Sequence, residues 1–269
     1  MIFVKGYGQM CNNILQFAHT YAFGREHGVR VIAMRFCYKY RYFHLCEGRW
    51  YHPLTYLFAK LLIKTRLIKC LVFDKNEIAE ADMRLLRQTP LIAMSDWMFR
   101  FPDLFLKYKH EIKALFAFKP AVIRRQEEWL RRIDKGGVKL GIHIRRGDYA
   151  TFMNGKYFFT DETYIARIND FLQLFGNQTV QVFICTNDAR LNIDRYREAL
   201  GTQEVYLSKG NAPEDLYLLS QCQYLMGPIS TFSLVASIYN DAKIYWMEDK
   251  NSTVTFNSFR LFDDLFMYV

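Results

Sequence analysis

Apolar runs and turn residues alternate along the chain in a strand-then-helix rhythm that plays through twice. In the first half a short apolar run at 2–5 leads through GYGQMCNN into helical spacing at Ile14, Phe17, Ala18, Tyr21 and Ala22, which predicts a helix over about 14–27. Residues 29–34 and 90–94 predict further short strands, and 103–117 and 120–133 predict helices. The second half is more regular. Strands are predicted at 138–144, 180–185, 204–207, 223–226 and 243–246, separated by helices at 162–173, 189–199, 214–221 and 231–239. This repetition builds open parallel sheets, so the expected fold class is α/β. Lys135, Gly136 and Gly137 form the strongest break and predict two domains, 1–135 and 136–269.

Two stretches interrupt the rhythm. FCYKYRYFHLCEGRWYHPLTYLF (36–58) is crowded with rings and is too irregular for one element. YLFAKLLIKTRLIKCLVF (56–73) is apolar but carries Lys60, Lys64, Arg66 and Lys69, so it reads as a basic amphipathic helix and not as a membrane span.

With 51% hydrophobic and 17% aromatic residues among 269, the chain has ample material for a core. Low-complexity tracts and internal repeats are missing from it, which excludes a disordered or solenoid protein. The six cysteines form neither a CxxC pair nor a zinc-like cluster with histidine, so reduced, buried thiols are expected. Charge is unevenly divided: residues 1–135 hold 24 Lys and Arg against 12 Asp and Glu, a net +12, while 136–269 carry −3 of the total +9. A basic half suits nucleic acid, an anionic membrane surface or an acidic substrate. No zinc-finger, RNP-like or helix-turn-helix signature supports nucleic acid.

The end of the 138–144 strand carries charge that a buried strand seldom tolerates. In LGIHIRRGDYA, His143 and Arg145 are two apart and share a face, while Arg146 lies in the turn. Gly147 permits a sharp departure, and Asp148 is near enough to brace an arginine. One reading is a surface ion pair that ends the strand. The stronger one is an anion site, because guanidinium groups hold phosphate through paired hydrogen bonds and ligands bind beyond the carboxyl ends of such strands. GPISTFSLVAS (227–237) also leaves a strand and opens a helix, with Ser230 and Thr231 at the start; taken alone it is an ordinary N-cap. GYGQMCNN (6–13) is a third such turn, with Asn12 and Asn13 able to donate from their amides.

HIRRGDY, ISTFSLVAS, the opening GYGQMCNNILQFAHTYAFGRE and the run EDLYLLSQCQYLMG together resemble the alpha-1,2-fucosyltransferases of glycosyltransferase family 11. The resemblance spans most of the chain and thins between 36 and 135. It implies two Rossmann-like domains facing a cleft, the GT-B arrangement, with 1–135 on the acceptor side and 136–269 on the GDP-sugar donor side. It also implies inverting transfer of L-fucose from GDP-fucose to a hydroxyl of a glycan, such as the 2-hydroxyl of a terminal galactose, without metal or cofactor. The acceptor would be an oligosaccharide or a lipid-linked glycan.

Carried across residue by residue, the resemblance assigns Arg145 to the donor's β-phosphate, with Arg146 and His143 completing the pocket and Asp148 orienting the arginines. Ser230, Thr231 and Ser233 would hold phosphate oxygens, Asp215 would read the guanine N–H edge, and Asn12 matches the asparagine of the family's GNQ turn. Departures are visible: the family's GGLGNQ stands here as Gly8-Gln9-Met10-Cys11-Asn12-Asn13, and Ile229 stands where the family often has asparagine. No carboxylate is assigned as base, the nearest being Asp148, Asp161 and Glu162. Transfer of another GDP-sugar, another linkage, and a non-catalytic nucleotide- or glycan-binding module stay open. The expected location is cytoplasmic, with the basic half contacting an anionic membrane surface.

Overall fold

Short apolar runs bounded by turn residues become the strands of both halves. In the computed structural model, which describes residues 1–75 and 77–268, the chain divides into units Met1–Lys119 and Pro120–Val269, each an α/β fold around its own parallel sheet.

The first unit runs β1 (Ile2–Val4), α1 (Met10–Glu26), β2 (Val31–Ala33), α2 (Pro53–Lys64), β3 (Cys70–Val72), α3 (Glu80–Gln88), β4 (Ile92–Ser95), α4 (Pro102–Lys107) and α5 (Lys109–Leu115). Its sheet order is β2-β1-β4-β3. Helix α1 is buried on most sides, and its entry turn requires glycine: Gly6 has φ +85°, and a Cβ there would stand 2.1 Å from Asn13 Oδ1. Asn13 Nδ2 donates to the Tyr7 and Gln9 carbonyls at 2.8 and 2.5 Å, so this amide serves its own turn.

Within the aromatic stretch Phe36 and Phe43 are fully buried against Phe116, while Tyr38 and Phe58 are exposed. One expectation is corrected here. The run 56–73 is not one helix. Helix α2 ends at Lys64, and Cys70–Val72 forms β3, whose pairing with β4 satisfies a backbone that a longer helix would withdraw from the sheet.

The second unit runs α6 (Pro120–Ile133), β5 (Val138–Ile144), α7 (Asp161–Phe175), β6 (Val180–Thr186), α8 (Ile193–Leu200), β7 (Val205–Leu207), α9 (Ala212–Ser220), β8 (Tyr224–Pro228), α10 (Thr231–Ser237), β9 (Lys243–Met247) and α11 (Phe262–Leu265). The unit boundary at Lys119 differs from the break read at Lys135, because α6 is clamped to the second sheet. Trp129 meets Phe183 edge-on at 6.1 Å, Arg125 pairs with Glu214 at 2.8 Å, and Gln126 Nε2 donates to Ser208 at 3.2 Å.

The second sheet has the all-parallel order β7-β6-β5-β8-β9. From the central β5 the chain winds outward through β6 and β7 on one side, then returns to β8 and β9 on the other. The β5–β8 junction is therefore a topological switch point, where crevices form beyond the carboxyl ends. Strand β5 alternates as its pattern requires. Leu140, Ile142 and Ile144 are fully buried in a cluster with Tyr164, Ile168 and Phe171 of α7. Gly141 and His143 take the opposite face: a Cβ on Gly141 would stand 2.7 Å from Leu219 of α9, and the His143 ring lies 5.0 Å from Phe232 of α10. All six cysteines are free, and five are buried. Among the described residues, no helix is long and apolar enough to cross a membrane.

Candidate active site

The switch point sets the loops after β5 and β8 side by side. Tyr149 Oη, from the first loop, donates to the Ile229 carbonyl of the second at 2.9 Å. Arg145 leaves the end of β5 and forks onto Asp148, Nε to Oδ1 at 3.0 Å and Nη2 to Oδ2 at 2.8 Å, with its guanidinium 5.5 Å from the Tyr149 ring centre. The side chain is 28% exposed, so a braced cationic plane stands partly open at the carboxyl edge of the sheet. The Arg145 bonds hold the Asp148 carboxyl below the usual carboxylate range.

Arg146 behaves differently, held by two carboxylates from other elements. Its guanidinium pairs with Asp161 and, at 3.1 Å, with Asp188, both well shielded from water. Asp161 also accepts from Tyr196 Oη at 2.7 Å and pairs with Arg195. The Arg146 backbone donates to Asn187 Oδ1 at 2.7 Å, and Asn187 Nδ2 returns a bond to the Arg146 carbonyl at 3.0 Å. Two shielded carboxylates hold a guanidinium firmly, so Arg146 locks the turn after β5 onto the loop after β6. The same network occupies Asp161. Glu162 is brought down to about 2, first by backbone hydrogen bonding and then by Thr160 and Arg195, which makes it a weak proton acceptor.

His143 is buried, and burial brings it down to about 3, with the neighbouring Arg145 charge acting in the same sense. It is thus a neutral ring at ordinary pH, packed on Phe232, with Nδ1 buried and unpartnered. Ser230 caps α10, its Oγ accepting from the Phe232 amide at 3.1 Å, and Thr231 follows half-buried. Ser233 is turned inward. It is fully buried, donating to the Ser230 carbonyl at 3.2 Å and accepting from Trp246 Nε1 at 3.4 Å, so its hydroxyl braces the turn from within.

Asp215 lies on the first turn of α9, beside β6, where its carbonyl is 3.9 Å from Cys185 Sγ. Cys185 pairs in register with His143, which puts Asp215 at the same carboxyl edge as the arginines. Burial pushes its carboxyl up to about 6, opposed by the hydrogen bond from Ser208. Asn12 stands half-buried on the first turn of α1, in the other unit.

Within the second unit the fold therefore gathers His143, Arg145, Asp148, Ser230, Thr231 and Asp215 along one sheet edge. Sequence reasoning missed Tyr149, Asn187, Asp188 and Ser208. The Asn-Asp pair directly after the VQVFICT strand was the available signal for two of them. A cavity of about 480 Å³ is lined by Ile229 together with Trp246, Glu248, Asn257 and Arg260. Among the described residues, no group of three or more His, Cys, Asp or Glu is placed to hold a metal ion.

The family model for glycosyl transferase family 11 matches residues 92–261. No curated protein matches the chain. Solved structures share the fold. POFUT1 in complex with GDP-fucose is 11% identical, with a TM-score of 0.60 over 90% of this chain and 93% of that one. A mutant of Arabidopsis thaliana FUT1 in complex with GDP is 16% identical, with a TM-score of 0.63 over 97% of this chain and 73% of that one. The fucosyltransferase NodZ from Bradyrhizobium is 14% identical, with a TM-score of 0.58 over 94% and 96%.

Proposed function

The chain belongs to glycosyltransferase family 11, and from that premise we propose that it moves L-fucose from GDP-fucose to a glycan hydroxyl, the 2-hydroxyl of a terminal galactose. One observation carries the reading: a braced, partly open Arg145 stands where the sheet topology forms a ligand crevice. The proteins that share the fold include ones solved with GDP-fucose and with GDP.

In this reading Arg145 meets the charge that builds on the β-phosphate as the sugar–oxygen bond breaks, and Asp148 fixes the plane of its fork. Charge stabilisation of this kind is strongest when the donor group is positioned before the reaction. Ser230 and Thr231 offer a hydroxyl and backbone amides to phosphate oxygens, and Asp215 accepts from the guanine N–H edge. His143 supports Arg145 from below as an uncharged ring. Transfer inverts the anomeric carbon, and Arg145 takes the part that a metal ion would otherwise fill.

The test is GDP release from GDP-fucose with galactose-ended oligosaccharides, followed by NMR assignment of the product linkage. Release with a product fucosylated at the galactose 2-hydroxyl is the expected result. Transfer from another GDP-sugar, another linkage, or binding of GDP without turnover would each overturn it.

A further inference from the structure

Helix α2 turns its apolar side the wrong way. A surface helix ordinarily presents such a stripe to the core. Here Leu54, Leu57, Phe58 and Leu61, spaced i, i+3, i+4 and i+7, are 67%, 54%, 53% and 57% exposed, while Ala59 on the opposite side is buried. Leu67, in the loop that follows, is 73% exposed. At 100° per residue these four side chains form one continuous outward stripe, and Lys60 and Lys64 run along one border of it. Isolated exposed leucines need no explanation; an ordered stripe of four does.

The surroundings identify the occupant. From Gly48 to Phe73 the chain has Arg49, Lys60, Lys64, Arg66 and Lys69 and no acidic residue. Beside the lysine border, a cavity of about 360 Å³ is lined by Lys5, Arg35, Lys60 and Lys64 together with Tyr38 and Tyr56. A second copy of this chain would set two such cationic faces against each other. A bilayer bearing anionic headgroups complements both features, taking the apolar stripe at its acyl boundary and the lysines at its phosphates.

We propose that α2 and the cationic cavity beside it form a docking surface for an anionic lipid bilayer. The stripe lies in the plane of the interface, and Lys60, Lys64, Lys5 and Arg35 face the headgroups. The inference does not depend on which sugar the protein transfers.

The full chain is sedimented with vesicles of phosphatidylcholine alone and of phosphatidylcholine mixed with phosphatidylglycerol, at low and high salt. Two variants accompany it, Leu57→Ser/Phe58→Ser/Leu61→Ser and Lys60→Glu/Lys64→Glu, with melting temperatures and sedimentation velocity as controls. The parent chain should bind the mixed vesicles at least about tenfold more tightly than the neutral ones and release them at high salt. The polar triple variant should lose about tenfold or more. Charge reversal should lose on the order of 25-fold, since each lysine near such a surface contributes roughly fivefold. Both variants should melt as the parent does, because the altered side chains are exposed. Equal binding to both vesicle types, or variants that bind as the parent does, overturns the proposal. So does a parent chain that ignores vesicles but dimerises through the stripe, for then the occupant is a second copy.

Discussion

The Arg145 guanidinium and the Asp148 carboxylate face each other through two parallel hydrogen bonds, at 3.0 and 2.8 Å, at the end of a rigid central strand. Lysine at this position keeps the charge but loses the planar fork and its brace. Arg145→Lys should stay folded and lose on the order of 100- to 1,000-fold in GDP-release rate. Asp148→Asn, which leaves the charge of Arg145 but loosens its aim, should lose less. Release rates measured beside melting temperatures decide it: an Arg145→Lys variant that keeps its rate, or fails only because it unfolds, removes the phosphate role.

Arg146 should act through the fold. Arg146→Ala strands Asp161 and Asp188 without their common cation, and losing charged hydrogen bonds at a partly buried group costs about 1.5–3 kcal/mol. Arg195 pairs with the same Asp161 but is about half exposed, so Arg195→Ala should cost no more than roughly 1 kcal/mol. The exposed Arg131 serves as the control and should cost nothing measurable. Urea unfolding of the three variants checks the order.

The guanine contact proposed for Asp215 would give donor binding a pH signature. Its carboxyl titrates at about 6 in the folded chain against an ordinary 3.8. Above pH 6 it is ionised and able to accept two guanine N–H groups; below pH 6 it is protonated. GDP affinity should therefore fall as the pH drops through 6, by about tenfold per unit once the acid form dominates. Asp215→Asn should abolish that slope. The stability sign is opposite: keeping Asp215 ionised costs stability, a cost that sets in as pH rises from about 4 to 6, so the asparagine variant should be the more stable one at neutral pH. Calorimetric GDP titrations across this range, with melting curves, test both halves.

His19 and His143 make the fold acid-sensitive. Burial lowers both from 6.5 to about 3, so the folded chain resists protons that the unfolded chain takes up. Stability should fall as pH drops below 6.5 and keep falling toward 3, by roughly 1.4 kcal/mol per unit for each histidine. His143→Gln should flatten the slope by about one proton in urea titrations at successive pH values.

Chelation should leave the reaction untouched if, as proposed, Arg145 supplies the positive charge at the leaving group. GDP release after dialysis against EDTA should match the untreated rate, with or without added manganese. A rate lost to EDTA and restored by manganese would contradict this.

Much of the second unit was legible in the residues. β5 was read at 138–144 as it stands, and the other four strands fell within two residues of their observed ends, because each is an apolar run closed by Asn, Asp, Gly or Ser. The first unit was harder to read. Its strands are three or four residues long, too short for a period to declare itself, and β3 lay inside a run whose composition suits a helix equally well.

The candidate site divides along the same line. Local chemistry determined that positive charge stands at the end of β5, that a serine caps the helix after β8, and that the chain is α/β, since all three follow from residues adjacent in sequence. Long-range packing alone decided which arginine is which. Arg145 and Arg146 are neighbours of identical chemistry, and the pleat sends them to opposite sides: one meets Asp148 three residues on and stays partly open, the other meets Asp161 and Asp188, which α7 and β6 bring in. The same holds for Ser233, hidden by Trp246 of β9, and for α2, whose apolar stripe any helical wheel shows but whose outward direction only the packing around Ala59 sets. A side chain's neighbours across the sheet, which adjacency in sequence does not specify, decide whether a charge serves the fold or faces a ligand.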